Sequence, residues 1–361
     1  MTRRVLIVGA KFGEIYLNAF LQVHSGMVLV GLLAQGSARA QQLAHAFGIA
    51  LYSRVEQLPD GIDIACVVVR STVVGGRGTT LALALLARGI HVIQEHPLHP
   101  DDIERLQQAA RQYGCCYWVN SFYVHTAAGR RWIAHARRIR ERLDDTPAGF
   151  AQLVTSRQLL YSSLDLLLQA TESSAEIAIE LLAADDPDFH LLRLALPGCK
   201  VLLRLQSYLD PEDPDLHSLI MHQLTLGWRS GYLTLAASYG PLLWTSVFYD
   251  QQHRRPRHDS GSLYRSGSSA LEQPPVLILH PAPLDWRHAL EVDGATAVLE
   301  ILQLLCGHLD GAPLPPAFND CYQYQLARLW QRILRYVGAA QERRLSAPLL
   351  LDAQSFNADA A

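Results

Sequence analysis

"RVLIVGAKFGEIYLNAF", residues 4–20, opens as an unbroken apolar run, breaks at Gly9, and resumes with Ile15, Ala19 and Phe20 spaced for one buried helix face. The stretch reads as strand, tight turn and helix. A second run, "MVLVGLLA" (27–34), leads into "SARAQQLAHAFG" (37–48), where Ser37 can cap a helix and Gly48 can end it. The unit then recurs as "IDIACVVV" (62–69), a helix over "TTLALALLARG" (79–89), "HVIQ" (91–94), a helix over "DDIERLQQAARQYG" (101–114) and "CYWVN" (116–120). Strands apolar throughout and alternating with helices imply a parallel sheet covered on both faces, because right-handed crossovers place the helices there. The expected class is α/β, with a Rossmann-type parallel sheet.

From about residue 122 the pattern changes. "AGFAQLVTSRQLL" (148–160), "FHLLRLAL" (189–196), "CKVLLRLQSYL" (199–209), "SLIMHQLTLGW" (218–228) and "GYLTLAA" (231–237) are short alternating runs separated by Pro, Gly and Asp. They predict an α+β domain with an open, mostly antiparallel sheet. The division is a dinucleotide-binding domain over 1–122 and a substrate-binding and dimerisation domain over 123–361. Two further helices are expected at 295–309 and 320–340, packing back on the first domain. The Arg-, His-, Ser- and Gly-rich stretch 251–275 has no apolar period and reads as a long loop.

With 361 residues, 49% hydrophobic and 18% charged, the chain has an ordinary globular composition, about two domains at roughly 100–200 residues each. A formal charge of -3 offers no global attraction for nucleic acid or an anionic membrane. The basic run from Arg130 to Arg142 is interrupted by Ile, Ala and Glu and reads as a solvated helix face. The opening "MTRRVLIVGA" is a strand entering a turn rather than a signal peptide, and no apolar stretch reaches the ~18 residues of a membrane span. A cytoplasmic protein is expected. The six cysteines (66, 115, 116, 199, 306 and 321) show no metal-binding spacing, so most read as reduced core residues and no metal is assigned.

The first turn, Gly9-Ala10-Lys11-Phe12-Gly13, is shorter than the G-x-G-x-x-G dinucleotide fingerprint. Its position still matters. Backbone N–H groups and a helix start after a first strand can receive a pyrophosphate, which makes Gly9, Lys11, Phe12 and Gly13 candidate cofactor contacts. An Asp or Glu ending the second strand would hydrogen-bond the adenosine ribose and repel a 2′-phosphate, but the sequence there is Ala34-Gln35-Gly36-Ser37-Ala38-Arg39. Ser37 supplies a hydroxyl and Arg39 a fixed cation suited to phosphate, so NADPH is favoured over NADH; the plain alternative is a helix cap and a solvated arginine. Arg70 and Ser71, ending the third long strand, can also reach a cofactor.

Ligands in a parallel sheet bind outside the carboxyl ends of the strands, and "VIQEHPLHP" (92–100) brings Glu95, His96 and Pro97 to such an end. Pro97 lacks an N–H and restricts the residue before it, which stops the strand there. Glu95 is placed facing the cofactor. "VVVR", "ARGIHV" and "EHP" resemble, in order, the pattern of the glucose-fructose oxidoreductase, inositol dehydrogenase and MocA (Gfo/Idh/MocA) family, whose motif at this point is "EKP". The resemblance covers most of residues 4–125. It implies a Rossmann oxidoreductase, with His96 in place of the family's lysine. The family's later Asp-x-x-x-His aligns with "LYSSLDLLLQAT" (160–171), where Asp165 is followed four residues on by Gln169.

Within that family, "VLIVGAKFGEIYLNAF", "LLAQGSARAQQLA", "VIQEHPLHP" and "VNSFYVHTAAGRRWI" look like the thiazolinyl imine reductases of yersiniabactin and pyochelin siderophore assembly. That resemblance implies NADPH-dependent reduction of a thiazoline C=N on an intermediate held by a peptide-synthetase carrier domain, and the wider family implies a homodimer. Such a reaction needs a hydride at the carbon and a proton at the nitrogen. His96, with an unperturbed pKa of about 6.5, and Tyr123, a strand-end phenol, are the candidate donors. Tyr123 reads equally as a packing residue, and His91 and His125 read as structural. The alternatives are an NADP-dependent dehydrogenase of a small carbonyl or sugar substrate and a regulator that kept the fold without the chemistry.

Overall fold

A computed structural model of the protein describes residues 2–69, 76–173, 177–183, 186–213, 218–249, 272–352 and 355. Arg70, Ser71 and most of the stretch 251–275 lie outside the described residues. The first six strands are β1 (Arg3–Val8), β2 (Met27–Leu33), β3 (Ala50–Tyr52), β4 (Ile64–Val67), β5 (His91–Glu95) and β6 (Tyr117–Asn120). They form one sheet in the order β3-β2-β1-β4-β5-β6, parallel throughout. Val5 to Val8, all of β4 and all of β6 are buried, as expected for strands covered on both faces. The covering helices are α1 (Gly13–Asn18), α2 (Ala38–Ala46), α3 (Arg77–Leu86) and α4 (Pro100–Gln112). The order reverses between β1 and β4, and the crevice at their carboxyl ends is the switch point where an open α/β sheet receives its ligand.

The second sheet has eight strands, ordered β15-β14-β13-β12-β7-β10-β9-β8. These are β7 (Phe150–Thr155), β8 (Ala178–Leu182), β9 (Phe189–Leu196), β10 (Cys199–Gln206), β12 (His222–Trp228), β13 (Gly231–Leu235), β14 (Leu242–Ser246) and β15 (Val276–His280). Within this sheet only β7 and β10 pair in parallel; the short β11 (Tyr208–Leu209) lies outside it and pairs with β16 (Gln341–Glu342). Burial alternates along β10 and β12, so one face is dry; α5 (Ala127–Arg142) and α6 (Leu160–Thr171) pack against this sheet. Phe150, Leu202 and Tyr232 lie on the other face and are 44%, 39% and 41% exposed. The arginines of α5 are not simply solvated: Arg130 pairs with Glu300, and Arg137 and Arg140 both pair with Glu172.

After the short α7 (Trp286–His288), helices α8 (Ala295–Leu309) and α9 (Asp320–Val337) pack on α1 and α4 of the first sheet, and α9 also packs on α6. Gln107 donates to the Asp320 carbonyl at 3.1 Å, and the Trp118 and Phe318 rings stack 4.0 Å apart. The two sheets therefore share one continuous apolar core. Among the described residues no helix is long and apolar enough to cross a membrane.

Candidate active site

At the end of β1 the chain turns so tightly that Gly9 has φ +114°, and a Cβ there would lie 2.4 Å from the Val68 carbonyl oxygen. Only glycine combines that backbone with that contact. Lys11 and Phe12 are exposed on the turn, whereas Gly13 is buried against Ile7. The Phe12 ring meets Phe122 edge-on at 5.2 Å, so the turn borders the carboxyl end of β6.

Beside it, Glu95 and His96 leave β5. Glu95 Oε2 accepts hydrogen bonds from the Tyr16 hydroxyl and, at 3.2 Å, from Asn120 Nδ2. Burial is the largest influence on this carboxyl and raises its pKa to about 8, against the lowering effect of those two donors. The His96 N–H donates to the Asn120 carbonyl at 3.0 Å, which ties the two strand ends together. Its ring stacks on Tyr161 at 5.3 Å and 16°, and Nε2 stands 3.6 Å from Glu95 Oε1. Nδ1 is buried without a hydrogen-bond partner, and burial pushes the imidazole pKa down to about 3. The expectation that His96 keeps an ordinary imidazole pKa is therefore corrected. At neutral pH it is uncharged.

The chain then passes through a strained turn. Phe122 has φ +58° and ψ −63°, and the Tyr123 N–H reaches back to the Ser121 carbonyl at 2.7 Å, a γ-turn of the rare positive-φ hand. Asn120 Oδ1 holds it by accepting from the Phe122 N–H at 2.8 Å. From the other side α5 approaches so closely that a Cβ on Gly129 would lie 2.0 Å from the Tyr123 carbonyl. The turn aims Tyr123 at the second sheet, where its ring lies 4.3 Å from that of His222 and 5.9 Å from that of Tyr239. Burial, then the nearby Tyr239 and Glu95, push the Tyr123 pKa well up, so the phenol stays protonated.

His222 is fixed as one tautomer. The Ser162 hydroxyl donates to the Leu159 carbonyl at 3.0 Å, so His222 Nε2, 2.9 Å from that hydroxyl oxygen, must be the donor to it. Burial, reinforced by His96, pushes the His222 pKa down to about 3. The neutral ring then accepts at Nδ1 from the Ser238 hydroxyl, 2.8 Å away. With both nitrogens engaged, His222 is a fixed platform for Tyr123.

The adenosine-end candidates have partners of their own. Ser37 caps α2, its hydroxyl accepting from the Ala40 N–H at 3.3 Å, and Arg39 is paired with Glu14 of α1. Asp165 and Gln169 share a 2.8 Å hydrogen bond on α6, and Asp165 also accepts from Ser121 and, at 2.5 Å, from Tyr322. That carboxyl fastens α6 to β6 and α9. His91 Nδ1 accepts from the Cys116 N–H at 2.9 Å, and His125 is buried and stacks on Phe318 at 5.8 Å. Tyr16, Asn120, Tyr161, His222 and Tyr239 were not singled out from the sequence. Only Asn120, the last residue of β6, carried a signal that could have found it.

Residues 3–121 match the family described as "Oxidoreductase family, NAD-binding Rossmann fold" (GFO_IDH_MocA), and residues 146–245 match "Thiazolinyl imine reductase Irp3-like, C-terminal". The first match gives the first sheet as an NAD(P)-binding Rossmann unit of the Gfo/Idh/MocA oxidoreductase type. The second match runs from just before β7 into β14 of the second sheet. No curated protein matches the sequence.

Solved structures with this fold include the UDP-N-acetylglucosamine 3-dehydrogenase from Acidithiobacillus ferrooxidans, at 13% identity and TM-score 0.61 over 92% of this chain and 96% of that one. The WlbA dehydrogenase from Bordetella pertussis, bound to NADH and UDP-GlcNAcA, shows 13% identity and TM-score 0.62 over 93% and 95%. Biliverdin reductase from Synechocystis sp. PCC 6803, bound to biliverdin and NADP+, shows 15% and 0.57 over 91% and 98%. At such identities the likeness is one of fold. The residues present fit a dinucleotide: the Gly9 turn hugs the edge of β4 where the strand order reverses, and Lys11 and Phe12 stand exposed on it.

Proposed function

We propose that the chain reduces the C=N bond of a thiazoline to a thiazolidine, using NADPH, on a siderophore intermediate held as a thioester by a peptide-synthetase carrier domain. A bound reduced nicotinamide supplies hydride to the imine carbon. The chain's own residues hold the turn and strand ends in place and provide the proton for the nitrogen. The observation that carries this reading is the match of residues 146–245 to a thiazolinyl imine reductase domain. The titration states support it. Alcohol oxidation needs a group ready to accept a proton, whereas the Glu95 carboxyl is held protonated here and is a donor. Gln169, in place of the family's histidine, offers no base.

The test is turnover of a carrier-bound aryl-thiazoline with NADPH, read as a product mass gain of two hydrogens. The tethered substrate is expected to exceed the free acid in kcat/KM by about 10²-fold, because tethering raises effective concentration and adds remote binding energy. Equal values would remove the carrier from the reading. Oxidation of sugars or polyols with no turnover of any thiazoline would assign a dehydrogenase instead.

For the cofactor, the missing acid at the end of β2 and the cation of Arg39 favour NADPH, with a 2′-phosphate taking the guanidinium from Glu14. Arg39→Glu is expected to weaken NADPH binding at least about tenfold, the scale of one charge-assisted hydrogen bond, and to leave NADH binding little changed. Fluorescence titration with both cofactors checks it. Equal losses would mean that α2 had been damaged. The open face of the second sheet, with Phe150, Leu202 and Tyr232, is where we place the homodimer contact.

A further inference from the structure

Resting on that reading, we propose that Glu95 is a catalytic residue: its Oε1 holds the proton taken up by the reduced nitrogen and shares it with His96 Nε2. The geometry separates the two carboxyl oxygens. Oε2 is occupied by the Tyr16 hydroxyl and Asn120 Nδ2, both of them donors, so a proton on this carboxyl belongs on Oε1. A titratable neighbour of Oε1 is His96 Nε2 at 3.6 Å, just beyond a hydrogen bond, and catalytic hydrogen bonds of this kind often tighten only when substrate binds. His96 Nδ1 faces the protein interior without a partner, so His96 exchanges protons through Nε2.

The groups that face the pair come from every neighbouring element. They are Tyr16 of α1, Cys66 of β4, Asn120 of β6, Tyr123 after β6, and Tyr239 after β13 around Glu95, with Tyr161 of α6 and His222 of β12 around His96. Among the described residues none that pairs with Glu95 is a Lys or Arg. A buried carboxyl without a cation keeps its proton, in line with the rise to about 8.

The step balances. Hydride forms the new C–H bond and the C=N π pair becomes the nitrogen lone pair. That pair takes the proton as the Oε1–H bond, or the Nε2–H bond in the shared form, breaks. Glu95 is left as a carboxylate, already solvated at Oε2 by Tyr16 and Asn120, and solvent reprotonates it. Because the active form is protonated, the rate falls as pH rises through about 8.

The experiment pairs infrared difference spectroscopy of the enzyme alone with pH–rate profiles. In wild-type minus Glu95→Gln spectra, a protonated-carboxyl C=O band is expected at neutral pH, lost as pH rises through about 8. Glu95→Gln, which keeps the volume and the hydrogen bonds, is expected to lower kcat about 10²–10⁴-fold, to abolish the alkaline limb and to bind NADPH as before. Tyr16→Phe removes a donor that lowers the Glu95 pKa, so the band and the alkaline limb should both move to higher pH. A carboxylate band at neutral pH, or an unchanged kcat in Glu95→Gln, overturns the proposal. The infrared arm needs no substrate. Failure of all thiazolines to turn over would therefore count against the proposed function and leave the Glu95 result standing.

Discussion

His96→Ala is expected to lower kcat by about 10²–10⁴-fold with NADPH affinity little changed, which is the usual cost of removing a positioned group from proton transfer. The expectation rests on Nε2 standing 3.6 Å from the free Glu95 oxygen, at the carboxyl end of β5. Tyr123→Phe is expected to cost less. The Tyr123 phenol has no hydrogen-bond partner among the described residues, and burial holds its pKa well up, which suits it to positioning a substrate rather than to surrendering a proton. Single-turnover rates, melting temperatures and NADPH dissociation constants separate the outcomes. Loss of the His96 ring also removes its stack on Tyr161, so His96→Asn, which keeps more of the volume, controls for packing. If Tyr123→Phe proves the more damaging, Tyr123 is the donor and His96 its electrostatic partner. Near-normal turnover in both single variants and the double variant, with chemistry rate-limiting, would show that neither ring is needed for proton transfer and leave Glu95, solvent or substrate as the source.

The first sheet was legible because strands buried on both faces are continuous apolar runs, and the helices between them keep a different period. β9 at 189–196 and α8 at 295–309 fall where the sequence places them, each having clean periodicity and clear boundaries. β3 escaped notice because three residues carry no pattern, and β15 because Val276, Leu277 and Ile278 are all exposed, so no alternation develops. α6 hid in a different way. It is buried nearly all round and lacks the polar face by which a helix is usually recognised.

At the site, Glu95, His96 and Tyr123 were legible because a parallel sheet presents ligands at its carboxyl edge, and strand ends can be read from sequence. Tyr161 and His222 were not, because they reach the site only through docking of α6 and β12 against the first sheet, a tertiary event with no local signature. The proton inventory was hidden for the same reason. An unperturbed imidazole titrates near neutrality, but the burial that lowers His96 and raises Glu95 comes from elements far along the chain. The Arg39 pairing with Glu14 likewise joins two helices whose sequences give no hint of contact.

Gly9→Ala should be the most damaging single-methyl change in the first sheet. The residue sits at φ +114°, where an L side chain is strained, and its Cβ would lie 2.4 Å from the Val68 carbonyl oxygen, 3.0 Å from the Val68 carbonyl carbon and 3.3 Å from Val69 Cγ2. The first two are backbone atoms at the edge of a central strand, which cannot swing aside as the end of a flexible side chain can. Overpacking a dense core costs about 1–3 kcal/mol, and a disfavoured backbone region costs about as much again, for a total of roughly 2–6 kcal/mol. Relief comes only by moving the turn away from β4. That displaces Lys11 and Phe12 from the crevice, so NADPH binding should fall more than about tenfold in whatever fraction still folds. Gly13→Ala is the control. Gly13 is also buried, but its backbone lies in the ordinary helical range and its nearest contact is Ile7 Cγ2 at 3.4 Å, so stability should change by less than about 1 kcal/mol. Urea unfolding and NADPH titration of the two variants decide the matter. Equal, small effects would show that the turn can retreat from β4 freely and that its close approach is not what forms the cofactor crevice.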